Sequence, residues 1–167
     1  MFPEEINALA AAVLASARAL RMKIGTAESC TGGLVCGALT AIAGSSDVVE
    51  GGVVTYSYAV KQALLGVQAG LLAREGAVSE PVARAMAEGA LRTLAVDLSV
   101  AVTGVAGPGG GSVDKPVGLV HFATAREGGS VVHRQERFGD LGREGIRLAS
   151  VKVALEMLAE RLAADER

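Results

Sequence analysis

Apolar residues near the start recur with a helical period: Ile6, Leu9, Ala10, Val13, Ala17 and Leu20 share one face, behind acidic Glu4 and Glu5. This predicts an amphipathic helix. RMKIGTA, residues 21–27, then reads as a short buried strand. GGLVCGALTAIAG, residues 32–44, predicts a helix entered through Thr31-Gly32-Gly33 and closed by Gly44. EGGVVTYS, residues 50–57, is rich in β-branched residues and predicts a strand. Ser57 is placed to cap a helix, YAVKQALLG, that stops at Gly66. A further helix starts after Ser79, with Glu80 and Pro81 in its first turn, and runs to Leu94. DLSVAVTG, residues 97–104, is a strand leading into the glycine loop VAGPGGGSVDKPVG. LVHFATA and SVVHRQERF form two strands joined by Glu127-Gly128-Gly129, an antiparallel hairpin. The last helix starts near Arg143 and carries Ile146, Ala149, Val153, Leu155 and Leu158 along it.

Strands alternating with helices predict a single α/β domain over residues 1–167, layered α/β/α, with a mixed, mostly parallel sheet ending in the late hairpin. No internal repeat or linker interrupts it. Half of the 167 residues are hydrophobic but only 3% are aromatic, so the core must be built from Ala, Val and Leu. The net charge is −2 with scattered basic residues, which argues against a nucleic-acid surface. No apolar run has the length of a membrane span, and Glu4 and Glu5 stand where a signal peptide carries positive charge. The expectation is a soluble cytoplasmic protein. The two cysteines, Cys30 and Cys36, lack C-x-x-C spacing, and His121 and His133 are distant in sequence, so no metal is expected.

Three polar or glycine-rich segments fall at the carboxyl ends of predicted strands, where ligands gather in such sheets. The first is TAESCTGG, with Glu28, Ser29, Cys30, Thr31, Gly32 and Gly33. A serine ahead of a helix start lies near free N–H groups able to stabilise an oxyanion, although capping is the commoner role for Ser29 or Thr31. Cys30 is the intrinsically stronger nucleophile if its thiolate is accessible, but it has no obvious histidine partner. The second segment supplies Lys61 in the first turn of a helix, where the dipole and partial burial disfavour the charged form. A lysine so placed can act as general base; solvation at the surface is the alternative. Tyr56 is either a packed sheet residue or a hydroxyl near the site. The third segment follows Thr103 and holds Gly107, Gly109 and Gly110. It lacks G-x-G-x-x-G spacing and the P-loop lysine, leaving a glycine-rich anion loop or a plain connection. Arg143 and Arg147, four apart, share a helix face and could clamp a phosphate or simply solvate the helix end.

Taken in order, TAESCTGG, GSS, GGVVTYS with Lys61, LGV, GAVSEPVA, TGVAGPGGG, KPVG and the GD ending with its arginines resemble the CinA C-terminal domain family across nearly the whole chain. The resemblance implies hydrolysis of the carboxamide of nicotinamide mononucleotide to nicotinic acid mononucleotide and ammonia, without metal or cofactor. It implies Ser29 as nucleophile and Lys61 as its base. The N–H groups from Thr31 to Gly33 become candidates for an oxyanion hole. The glycine loop from Gly107 to Gly111, with Arg143 and Arg147, becomes a candidate for ribose and phosphate contacts. Two departures stand out: Tyr58 where an Asn is expected after TYS, and two extra residues before Arg143. The separate N-terminal domain of longer family members is not expected in this chain. The expected partners are a small nucleotide substrate and further copies of the chain. A nucleotide-binding module of the same fold without turnover remains the alternative.

Overall fold

Residues 1–164 are described in a computed structural model, and the predicted alternation is realised there. The first helix, α1 (Glu4–Ala19), leads into strand β1 (Ile24–Glu28). Helix α2 (Leu34–Thr40), a 3-10 turn at Ser45–Asp47 and strand β2 (Val49–Val54) follow. Three helices come next, α3 (Tyr58–Leu65), α4 (Ala69–Glu75) and α5 (Glu80–Leu94), then strand β3 (Leu98–Gly104). The hairpin is β4 (Leu119–Arg126) and β5 (Val132–Arg137), and α6 (Gly142–Ala163) closes the chain.

The sheet order is β2-β1-β3-β4-β5. β1 pairs in parallel with β2 and β3, while β3–β4 and β4–β5 are antiparallel. Only β4 therefore opposes the common strand direction, which is the mixed, mostly parallel arrangement expected. Two apolar layers sandwich the sheet. On one side α1, α2 and α6 pack on Ile24, Leu98, Val100, Val102, Val120 and Phe122. On the other, α3, α4 and α5 pack on Ala27, Ala101, Ala123 and Ala125. Strand alternation separates the two sets: large side chains face one helical layer and alanines face the other, where α5 lies close. The scarcity of aromatics is thus met by small residues and close approach.

Two helices depart from expectation. The second is shorter than residues 32–44: it ends at Thr40, whose hydroxyl donates back to the Cys36 carbonyl at 2.8 Å, and Gly44 instead opens the 3-10 turn with φ +80°. Helix α4 was not expected; it is seven residues long, buries only Leu72, and is too short to display a period. Ser79 stands at the N-cap position of α5, but its hydroxyl donates to the Gly76 carbonyl at 2.9 Å rather than capping the helix.

After β1 the chain crosses to β2 on one side through α2, then returns to β3 on the other through α3–α5. The strand order thus reverses at β1. A crevice opens beyond the carboxyl ends of strands at such a point.

Candidate active site

Glu28 is the last residue of β1 and Ser29 follows it, so alternation turns their side chains to opposite faces of the sheet. The Glu28 carboxylate, buried, faces the start of α2. It accepts from the N–H groups of Gly33 (3.0 Å), Val35 (3.0 Å) and Cys36 (2.8 Å), and from the Thr26 hydroxyl (3.2 Å). These are the orphan donors of a helix N-terminus, and a carboxylate there also complements the helix dipole. Glu28 lies in the TAESCTGG segment, where the sequence predicts that ligand gathers. It does not line the cleft; it holds the TAESCTGG turn in shape from behind. Gly33, at φ +95°, supplies the left-handed residue that turns the chain into α2.

Ser29, half-buried, faces the other layer, where α3 brings Lys61. The Ser57 hydroxyl caps α3 by accepting from the Val60 N–H at 3.3 Å, as the sequence predicted. Lys61, one turn in, is fully buried: its Nζ lies 3.0 Å from Ser29 Oγ and donates to the Thr55 carbonyl at 2.6 Å. No carboxylate pairs with it among the described residues. Burial therefore dominates and pushes its pKa down from 10.5 to about 8. When Lys61 is neutral, one N–H can stay on the Thr55 carbonyl while the lone pair accepts the Ser29 O–H. That is the geometry of a nucleophile and its base.

Cys30 takes the opposite course. It is buried beside the acid of Glu28, and burial pushes its thiol up from 9.0 to about 12. The thiolate is scarce at neutral pH, so Cys30 is a weak rival to Ser29.

The cleft beside Ser29 has a volume of about 270 Å³. Its lining includes Cys30, Tyr56, Thr103, Gly107, Gly109, Gly110 and Arg143, so most of the residues singled out in the sequence do converge. Tyr56 is 63% exposed and is no sheet-core residue; its hydroxyl accepts from Arg143 Nη2 at 3.4 Å. Arg143 also donates to the Gly107 carbonyl at 2.8 Å, which fixes the guanidinium to the glycine loop at the mouth. Gly107 adopts φ +74°, and a Cβ there would stand 2.6 Å from Val117 Cγ1, so the loop needs glycine at this point.

The expected arginine clamp divides. Arg147 does not line this cleft; it donates to the carbonyls of Cys30 (3.2 Å) and Thr31 (2.9 Å) and fastens the nucleophile turn to α6. The expected oxyanion hole narrows as well. The Gly32 N–H is taken by the Ser29 carbonyl at 3.1 Å and the Gly33 N–H by Glu28. Of the three groups from Thr31 to Gly33, only the Thr31 N–H is left without a partner among the described residues. The buried Thr31 hydroxyl is also unpartnered.

A larger cavity of about 500 Å³ lies at the other end of the sheet, near Arg92, Val96 and Gly128. Its lining holds no serine, cysteine, threonine or lysine, so it offers no nucleophile–base pair. Among the described residues, no group of three or more His, Cys, Asp or Glu side chains is placed to hold a metal ion. No helix among them is long and apolar enough to cross a membrane.

Comparison with known proteins extends this picture. The family model of the CinA C-terminal domain matches residues 6–162. A CinA-like protein of Synechococcus sp. (strain RCC307) is 56% identical over 162 residues, covering 96% of this chain and 39% of its own length. A CinA-like protein of Mycolicibacterium vanbaalenii is 55% identical over 139 residues, covering 83% of this chain and 33% of its own length. The chain thus spans well under half the length of these relatives. Among solved structures, the competence/damage inducible protein CihA from Agrobacterium tumefaciens superposes with a TM-score of 0.95 at 52% identity, covering 98% of both chains. A CinA superfamily protein from Klebsiella pneumoniae superposes with a TM-score of 0.90 at 35% identity, covering 95% of this chain and 98% of its own.

Proposed function

The chain belongs to the CinA C-terminal domain family, and from that membership and the buried Ser29–Lys61 pair we propose that it is a nicotinamide-nucleotide amidase. It hydrolyses the carboxamide of nicotinamide mononucleotide to nicotinic acid mononucleotide and ammonia. The observation that carries this reading is Lys61 Nζ, fully buried, without a carboxylate partner among the described residues and 3.0 Å from Ser29 Oγ.

In this reading neutral Lys61 takes the proton from Ser29 as its oxygen attacks the carboxamide carbon. The Thr31 N–H is the candidate donor for the oxyanion that forms. Lys61, now charged, returns the proton to the departing nitrogen, which leaves as ammonia. A water gives its proton to Lys61 and attacks the acyl-Ser29 ester; Lys61 passes that proton to the departing Ser29 oxygen, releasing the carboxylic acid and restoring the neutral lysine and the serine hydroxyl. Arg143 at the mouth is the cation available to the substrate phosphate, while Arg147 keeps the turn that bears Ser29 in place.

The test is ammonia release from nicotinamide mononucleotide by the purified protein. Ser29→Ala should lose more than about 10³-fold in kcat, as removal of a covalent nucleophile does elsewhere. Cys30→Ala should keep most of the activity. Activity that survives the Ser29 change and vanishes with the Cys30 change would transfer the attack to the thiol.

A further inference from the structure

The segment between α4 and α5, residues 76–79, forms one wall of the cleft through Ala77 and Val78. It has no regular structure of its own, and side chains hold its backbone. Lys115 donates to the Glu75 carbonyl and Ser79 to the Gly76 carbonyl. The Ala77 peptide groups are held on both sides. Its carbonyl accepts from the Thr103 hydroxyl at 2.9 Å, and its N–H donates to the Tyr58 hydroxyl at 3.1 Å.

These last two anchors come from the elements that position the reacting pair. Tyr58 opens α3 three residues before Lys61, so both side chains leave the same side of that helix. Thr103 follows Val102, whose carbonyl accepts the Ser29 N–H at 2.9 Å. Ala77 is therefore registered to the base through one bond and to the nucleophile through the other. Ala77 and Val78 line the same cleft as Ser29, and Thr103, which holds the Ala77 carbonyl, lines it too. A substrate whose carboxamide reaches Ser29 enters a cleft that this wall bounds.

From this geometry we infer that Tyr58 is a positioning residue for substrate: its hydroxyl sets the Ala77–Val78 wall and so the fit of the flat amide-bearing ring beside Ser29. The inference rests on the proposed amidase reading for its substrate, but the anchor itself does not. Tyr58 is 47% exposed, and its phenol is free of the core, so losing the hydroxyl leaves the fold intact. The proton path between Ser29 and Lys61 does not pass through it.

The experiment compares the parent chain with Tyr58→Phe, which keeps the ring, and Tyr58→Ala, which removes it. Two readouts are taken: steady-state ammonia release from nicotinamide mononucleotide, and amide hydrogen exchange at Ala77. Loss of one hydrogen bond to a neutral group should raise KM about 3–10-fold in Tyr58→Phe with kcat within about twofold of the parent. Exchange at Ala77 should quicken about tenfold, with the melting temperature unchanged. Tyr58→Ala should show the same split, at least as large. An unchanged KM in a protein whose parent is active would overturn the inference and spare the amidase reading. So would a fall in kcat alone, or Ala77 exchange that does not respond. A parent that releases no ammonia while Ala77 exchange quickens would sink the amidase reading, and with it the substrate role, leaving the anchor alone established.

Discussion

Burial of Lys61 makes a quantitative prediction about rate and pH. Its pKa falls from 10.5 to about 8 because the ammonium is cut off from water without a carboxylate partner. At that value about 9% of the side chain is neutral at pH 7 and about 91% at pH 9, so kcat should rise about tenfold between them. An unshifted lysine would be about 0.03% neutral at pH 7, so burial enlarges the competent population about 300-fold. The same displacement has a cost in stability. A depressed lysine penalises folding wherever the folded state must carry the charge, below pH 8, and the penalty lifts as pH rises toward 10.5. Its size is on the order of 3 kcal/mol at neutral pH. Lys61→Met should therefore be inactive yet no less stable at pH 7, whereas Lys61→Arg keeps the charge but cannot act as base and should lose about 10²–10⁴-fold in rate. The assay is initial ammonia release from nicotinamide mononucleotide between pH 6 and 10, with thermal melts of each variant. A rate that is flat from pH 7 to 9, or an arginine variant with near-parental turnover, would show that Lys61 is only a fixed positive charge.

Two further predictions concern buried groups outside the reacting pair. Glu28→Ala strands three N–H groups at the start of α2, a loss of about 1–3 kcal/mol for each donor that water does not reach, which urea denaturation would read. Glu28→Gln keeps an acceptor oxygen and should lose less; equal stability of all three proteins would refute the anchoring role. His121, stacked on His133 with 2.9 Å between Nδ1 and Nε2, is pushed down from 6.5 to about 4 by burial first and by the neighbouring His133 next. The unfolded chain takes up this proton near pH 6.5 and the folded one only near 4, so stability should fall as pH drops through that window, by on the order of 3 kcal/mol. His133, also depressed, acts in the same direction. His121→Gln should flatten the melting temperature between pH 7 and 4.5, and an unchanged slope would assign the loss to other groups.

Local pattern was enough for much of this protein. The apolar face of α1, the β-branched strands, the glycine turn of the hairpin and the Ser57 cap are properties of neighbours along the chain, and each appears where its period or turn chemistry placed it. Strand alternation even carried the signal for Glu28: two and four residues after Thr26 and Ile24, it had to face α2 while Ser29 faced α3. That signal is easily missed because Glu28 sits inside a motif dense with reactive residues. Helix α4 gave no such signal, since seven residues with one buried leucine do not make a period.

What periodicity could not supply is the company each side chain keeps. Arg143 and Arg147 share a helix face, yet one meets the glycine loop and the other the carbonyls behind Ser29. The contact between Ser29 and Lys61 spans 32 residues, and no local rule measures that distance. It exists because the chain reverses its strand order at β1, which sets the ends of β1 and β3 against the start of α3. The lowered pKa of Lys61 has the same origin. The residue type makes a base available, but only the surrounding packing removes the water that would otherwise hold its proton.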